Sequence, residues 1–149
     1  MKNWNFYESC LVRLSSPRAV WAEVVEKGRG RPGSREVSEA EWIKVQDVND
    51  RLSVEILMKE IEIGEAEAIV LARELNADLL VLDERIPRII AKSLGIKVAG
   101  TLALLFIAKE RGGLLKEDLE PPLLLELRTK GVRFSDKVVE ALRKRFIKT

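Results

Sequence analysis

Two carboxylates in this chain occupy positions from which they could do chemistry together. Glu65 opens a stretch that reads as a helix, and Asp83 follows directly on the apolar run at residues 79–82. Negative charge is favoured at a helix N-terminus, and sites in open parallel sheets lie beyond the carboxyl ends of the strands. A helix followed by a returning strand brings the helix start and the strand end to one edge of the sheet, so Glu65 and Asp83 are expected to converge. Converging carboxylates repel unless a hard cation lies between them. Mg²⁺ or Mn²⁺, which take oxygen ligands and keep bound waters, suit that place. Such a site can activate water and stabilise charge on a phosphodiester. The simpler reading is a Glu that complements the helix dipole and an Asp that ends a strand in a turn. Glu67 lies about 200° around the helix from Glu65 and is not expected to share a site with it.

Composition narrows the chemistry further. There is no histidine and a single cysteine, Cys10. That excludes Ser-His-Asp and Cys-His catalysis, histidine zinc sites and an internal disulfide framework. Cys10 reads as a small core residue. The 26 Lys and Arg nearly balance 24 Asp and Glu, for a net charge of +2, so neither a histone-like basic domain nor an acidic tail is present. With 46% apolar and 34% charged residues in 149, the chain suits one globular domain, expected over residues 1–149. The longest apolar run, residues 102–108, is far short of the roughly 20 residues of a membrane span. The first ten residues have no signal pattern, and a cytoplasmic protein is expected. A single Gln and four Asn beside many Lys, Arg and Glu resemble a thermophile composition.

The elements that must position the acids follow from periodicity and punctuation. A strand is expected at residues 10–14. Ser15, Ser16 and Pro17 then start a helix over about 18–27, with Val20, Trp21, Val24 and Val25 as its apolar face and Gly28 as its end. GRGRPGSR at 28–35 reads as an arginine-bearing loop, followed by a short helix near 38–41 and a strand at 42–46. Residues 50–59 read as a helix with Leu52, Ile56 and Leu57 inward. Apolar residues cover most of the helix expected at 65–76, which marks it as buried. The continuous apolar run 79–82 reads as a parallel strand covered on both faces. A helix at 87–94 closed by Gly95 and a strand at 96–99 come next. Further helices are expected from 101 to near 112, over 119–130, and from the Ser135-Asp136 cap with Val138, Val139, Leu142 and Phe146 inward. The alternation predicts a three-layer α/β/α domain with a mostly parallel sheet.

Residues 64–101, GEAEAIVLARELNADLLVLDERIPRIIAKSLGIKVAGT, closely resemble one branch of the PIN-domain family. That branch carries G-E-x-E-A-I-x-L-A, then L-L-L-D-[DE]-R-x-x-R, then a G-T helix. SPRAVWAEVVEKG at 16–28, GRGRPG at 28–33, GGLL at 112–115 and GVRFSD at 131–136 extend the resemblance over about residues 10–145. The resemblance implies a divalent-metal ribonuclease of the kind found in VapC-type toxins. It assigns Glu23, Glu65 and Asp83 as the acids that bind Mg²⁺ or Mn²⁺ and carry catalysis. Without it, Glu23 reads as a solvated helix residue. The family's first-strand Asp has no counterpart, because the first Asp is Asp47. The family's first strand is therefore expected to be missing. Either the chain start is late, or another subunit completes the sheet, or the protein is an inactive remnant.

Cationic residues follow the acids. Arg85, Arg88 and Lys92 could contact RNA phosphates, and Thr101, a helix cap, could touch substrate. Arg29, Arg31 and Arg35 could steer nucleic acid. Arg143, Lys144, Arg145 and Lys148 make a basic end to the last helix. Each has a plain alternative as a solvated or dipole-complementing charge. Two functions are therefore carried forward. One is a metal-dependent ribonuclease. The other is a non-catalytic PIN-like protein that binds a partner such as an antitoxin-like chain. A homodimer is the expected assembly.

Overall fold

The computed structural model describes residues 13–104, 106, 124–125, 128–129 and 135–146. Of the described residues, 13–100 form one compact unit, and those from Thr101 onward belong to another. The first unit is α/β. It runs β1 (Leu14–Pro17), α1 (Arg18–Trp21), a π-helical continuation (Ala22–Lys27), α2 (Ser34–Glu39), β2 (Ile43–Gln46), α3 (Arg51–Leu57), α4 (Ile63–Glu74), β3 (Leu80–Val81), α5 (Arg85–Ser93) and β4 (Val98–Ala99). The strands are parallel, as their crossover helices require. Among the described residues they pair two by two. Leu14 stands opposite Ile43 in β1–β2, and Leu80 opposite Val98 in β3–β4.

α4 organises this unit. It packs against β1, α1, α3, α5 and β3, and residues 66–72 are all buried. Small residues at Ala66, Ala68 and Ala72 let neighbours approach from several sides. Ala68, Ile69 and Ala72 meet Leu80, Leu82 and Ala91 on one side, while Ala66, Val70 and Leu71 meet Val48 and Val54 on the other. A helix apolar around its circumference can only sit between layers, as the sequence pattern predicts.

Local punctuation works where it has specific hydrogen bonds. Asp50 caps α3 through the Ser53 amide at 3.0 Å. Asn76, with φ 49°, ends α4; its amide reaches the Arg73 carbonyl, and the Ala77 amide reaches the Ala72 carbonyl. Gly95, with φ 77°, ends α5 with the same pair of bonds, from Gly95 to Lys92 and from Ile96 to Ala91. This double closure needs a left-handed residue after the helix. Gly95→Ala is expected to cost about 1 kcal/mol, the penalty for an L side chain in that region. Urea unfolding would measure it, and an unchanged midpoint would overturn it.

Several expectations are corrected. Ser15, Ser16 and Pro17 do not start a helix; they are the strand, held in register against Lys44, Val45 and Gln46. The helix begins at Arg18 and changes to π geometry at Ala22. The short helix starts at Ser34 rather than near 38, because the Gly33 amide is taken by the Glu36 carboxylate at 3.0 Å. On α3, Val54 is fully buried, whereas Leu52 and Ile56 are 68% and 56% exposed. The phase set by the Asp50 cap and α4 turns Val54 inward instead. α5 begins at Arg85, earlier than expected.

In the second unit, residues 101–104 are helical, and α6 spans Asp136–Phe146. Ser135 Oγ accepts the Val138 amide at 3.3 Å, so the expected cap is present. Val139 is buried, but Val138 is exposed rather than inward. The expectations for the first strand's start, Cys10, the missing first strand, the side chains of Leu142 and Phe146, and most of the 119–130 helix fall outside the described residues. Among the described residues, no helix is long and apolar enough to cross a membrane.

Candidate functional site

The carboxylates are brought in by the ends of short elements. Glu23 rides on the π-helical continuation of α1 and is exposed. Glu65 lies in the first turn of α4, half-buried, where its Oε2 accepts the Glu62 amide at 3.2 Å. The side chain thus occupies one of the helix's unpaired donors. The N-terminus of α4 sits close under the Glu23 helix. A methyl group on Gly64 would lie 3.2 Å from Cγ2 of Val20 and 3.7 Å from Oε2 of Glu23.

Electrostatics link these groups. Burial holds the Glu65 carboxyl above the ordinary range; the bond from the Glu62 amide works against this, and the charges of Glu84, Glu62 and Glu23 push it further up. Glu65 is thus partly desolvated inside a negative field. Glu84 belongs to the loop that carries Asp83, so the β3–α5 loop lies within electrostatic reach of the start of α4.

Asp83 is exposed just beyond β3. Its head and that of Arg88 both lie over the chain at the end of β4. A methyl group on Gly100 would meet Asp83 Oδ1 at 3.2 Å and Arg88 Nη1 at 3.7 Å. A residue with a side chain at position 100 would press on Asp83 and rest in ordinary contact with Arg88. Arg85 is exposed at the start of α5, Arg88 is half-buried on it, and Lys92 is exposed. Thr101 is half-buried at the start of its helical segment in the second unit.

The structure therefore brings Glu23 to Glu65 and places Asp83 with Arg88. Among the described residues, no three His, Cys, Asp or Glu side chains are gathered as a preformed metal cage. The donor set still suits a hard divalent cation. It offers carboxylate oxygens alone, one of them a half-buried group crowded by like charge.

Two acids outside the sequence-predicted set shape this region. Glu84 contributes to the field at Glu65. Its only signal in the sequence is its place beside Asp83. Glu67 is 5% exposed. Its Oε2 accepts the Ala19 amide at 2.8 Å, and its Oε1 accepts from Arg51 at 2.7 Å. It faces away from Glu65, as the helical angle requires, and ties α4 to the first turn of α1 and to α3. The sequence signal for this role was a charged residue in the middle of an otherwise apolar helix surface.

A family model described as a PIN domain matches residues 5–148. No curated protein and no solved structure gave a match.

Proposed function

From the premise that the chain belongs to the PIN-domain family, we propose that it is a divalent-metal-dependent ribonuclease of the VapC-type toxin class. PIN domains are generally nucleases and typically use divalent metals. The observation that supports the reading here is the half-buried Glu65 in the field of Glu23, Glu62 and Glu84, a place where a cation would relieve repulsion. Glu23, Glu65 and Asp83 would hold Mg²⁺ or Mn²⁺, which would supply charge neutralisation and ease removal of a proton from water. The chain's own groups do the rest. The Glu62 amide orients the Glu65 carboxylate at 3.2 Å. Glu67 holds the first turn of the helix that carries Glu23. Arg85, Arg88 and Lys92 offer cations to the phosphates that flank the scissile bond. The resulting protein is a cytoplasmic RNA-cleaving enzyme.

RNA cleavage in Mn²⁺, comparing the protein with Asp83→Ala, tests this. The expected result is cleavage by the natural sequence and a loss of at least about 100-fold in the variant. Equal cleavage by both, or none by either, sinks the proposal.

A second reading keeps the fold without cleavage, as a homodimer or bound to an antitoxin-like protein. The exposed Ile86 and Ile89 of α5 favour it. Calorimetric titration with Mn²⁺ separates the two: heat of binding that Glu65→Gln removes belongs to the enzyme alone.

A further inference from the structure

The loop between α1 and α2 is a built structure rather than a slack connection. Gly30 and Gly33 have φ of 83° and 94°, and the Arg31 amide reaches the Gly28 carbonyl at 2.9 Å. The Ser34 amide reaches the Arg31 carbonyl at 3.2 Å. Two linked turns result, each needing a residue that tolerates the left-handed region. Ser34 is buried, and its hydroxyl donates to the Val25 carbonyl at 3.2 Å. That bond pins the far end of the loop to the helical segment that carries Glu23. Arg35 is occupied by Glu39 at 2.7 Å. Arg29 and Arg31 are exposed, and neither has an acid partner among the described residues. With Val25, Pro32, Ser34 and Glu36, whose carboxylate accepts the Gly33 amide, they line an open groove.

Two such guanidinium groups on a pinned backbone, over a small apolar floor, make a phosphate-reading surface. Guanidinium binds phosphate through paired donors, and the fixed turns lower the entropy lost on ordering it. Among the described residues no aromatic side chain lines the groove, so they offer base stacking no platform there. Resting on the nuclease reading, we infer that Arg29 and Arg31 bind the sugar-phosphate backbone of single-stranded RNA beside the Glu23 helix. This loop tethers the strand while the acids act on it, and it holds the strand without regard to base sequence.

The test is fluorescence anisotropy of the full chain with fluorescein-labelled oligouridylate, in EDTA, over a range of KCl concentrations. The Arg29→Ala, Arg31→Ala double variant is expected to bind more weakly. Its plot of log affinity against log salt should be shallower by about 1.4, or about 0.7 for each single-strand phosphate that an arginine no longer neutralises. Arg29→Lys with Arg31→Lys should keep the natural slope. Thermal midpoints equal to that of the natural sequence show that the exposed loop changes leave the fold intact. An unchanged slope in the alanine variant overturns the inference, as does failure of the natural sequence to bind. Arginine-dependent binding of polyglutamate in place of the oligonucleotide would assign the loop to an acidic protein and overturn it too. Cleavage in Mn²⁺ is read separately. Cleavage with an unchanged slope removes this inference alone, whereas binding through the loop without cleavage removes the nuclease reading.

Discussion

Glu67→Ala is expected to lower stability by about 3 kcal/mol, the scale for losing a charge-assisted buried hydrogen bond together with a buried side chain. Its two oxygens hold the Ala19 amide at 2.8 Å and Arg51 at 2.7 Å, and only 5% of the residue is exposed. The two bonds do not contribute equally. The Arg51 side chain is 52% exposed, and water takes over its charge when the partner leaves. The Ala19 amide is an unpaired donor of a helix first turn, and the truncated side chain leaves a gap between α1, α3 and α4. Most of the loss therefore comes from the helix start and the gap. A fall in thermal midpoint of about 10 °C is expected from a loss of this size. Glu67→Gln keeps one acceptor oxygen and should lose about half as much. If Glu67→Ala melts with the natural sequence, α1 is held by something other than this carboxylate. Because Glu23 follows on the same helical run, the variant should also weaken Mn²⁺ binding, while an equally destabilising change far from α1 should not.

Glu65→Gln is expected to separate activity from stability. On the proposed nuclease reading, cleavage should fall at least about 100-fold, since a carboxylate that would hold the metal becomes a neutral amide. Melting in EDTA at neutral pH should instead move upward. Burial and the neighbouring acids raise this carboxyl in the folded state, so the folded protein binds more protons there than the unfolded chain. Stability then falls as pH rises through the ordinary carboxyl range and the raised folded value above it. The glutamine has no charge to desolvate, and its side-chain oxygen can still accept the Glu62 amide. The gain should vanish at acidic pH, where Glu65 is protonated in both states. Asp47 has the opposite sign. Arg18 holds its carboxyl below the ordinary range by hydrogen bond and charge, so its stabilisation is present above that range and is lost as pH falls. Scanning calorimetry across pH measures both. A Glu65→Gln protein less stable than the natural sequence at neutral pH would overturn the prediction.

Much of the fold could be read in advance wherever a single side-chain property decided it. The apolar circumference at residues 66–72 announced a buried helix, and it became the centre of the unit. The continuous apolar run at 79–82 announced a parallel strand, and the structure pairs it in parallel with β4. Gly95 and Ser135 ended and began their helices through hydrogen bonds that local chemistry dictates. Misreadings came where distant partners chose between acceptable conformations. Ser15-Ser16-Pro17 suits a helix start, but pairing with Lys44, Val45 and Gln46 makes it a strand. Leu52 and Ile56 are as apolar as Val54, and only packing against α4 decides which of them faces inward.

The same division runs through the site. Residue chemistry already limited catalysis to carboxylates, hydroxyls or Lys and Arg, since no histidine is present and there is one cysteine. Local punctuation placed Glu65 at a helix start and Asp83 at a strand end, because those are local features, whereas Glu23, within a helix, was assigned through the family resemblance alone. Tertiary structure decided which groups share a field. It set Glu23 against the start of α4, brought Glu84 within reach of Glu65, and stood Asp83 with Arg88 over Gly100. It also gave Glu67 a structural task, because a buried carboxylate must find donors wherever the chain returns. Those donors, Ala19 and Arg51, lie 48 and 16 residues away along the chain. Distances of that kind are set by packing of the whole unit, and no local pattern contains them.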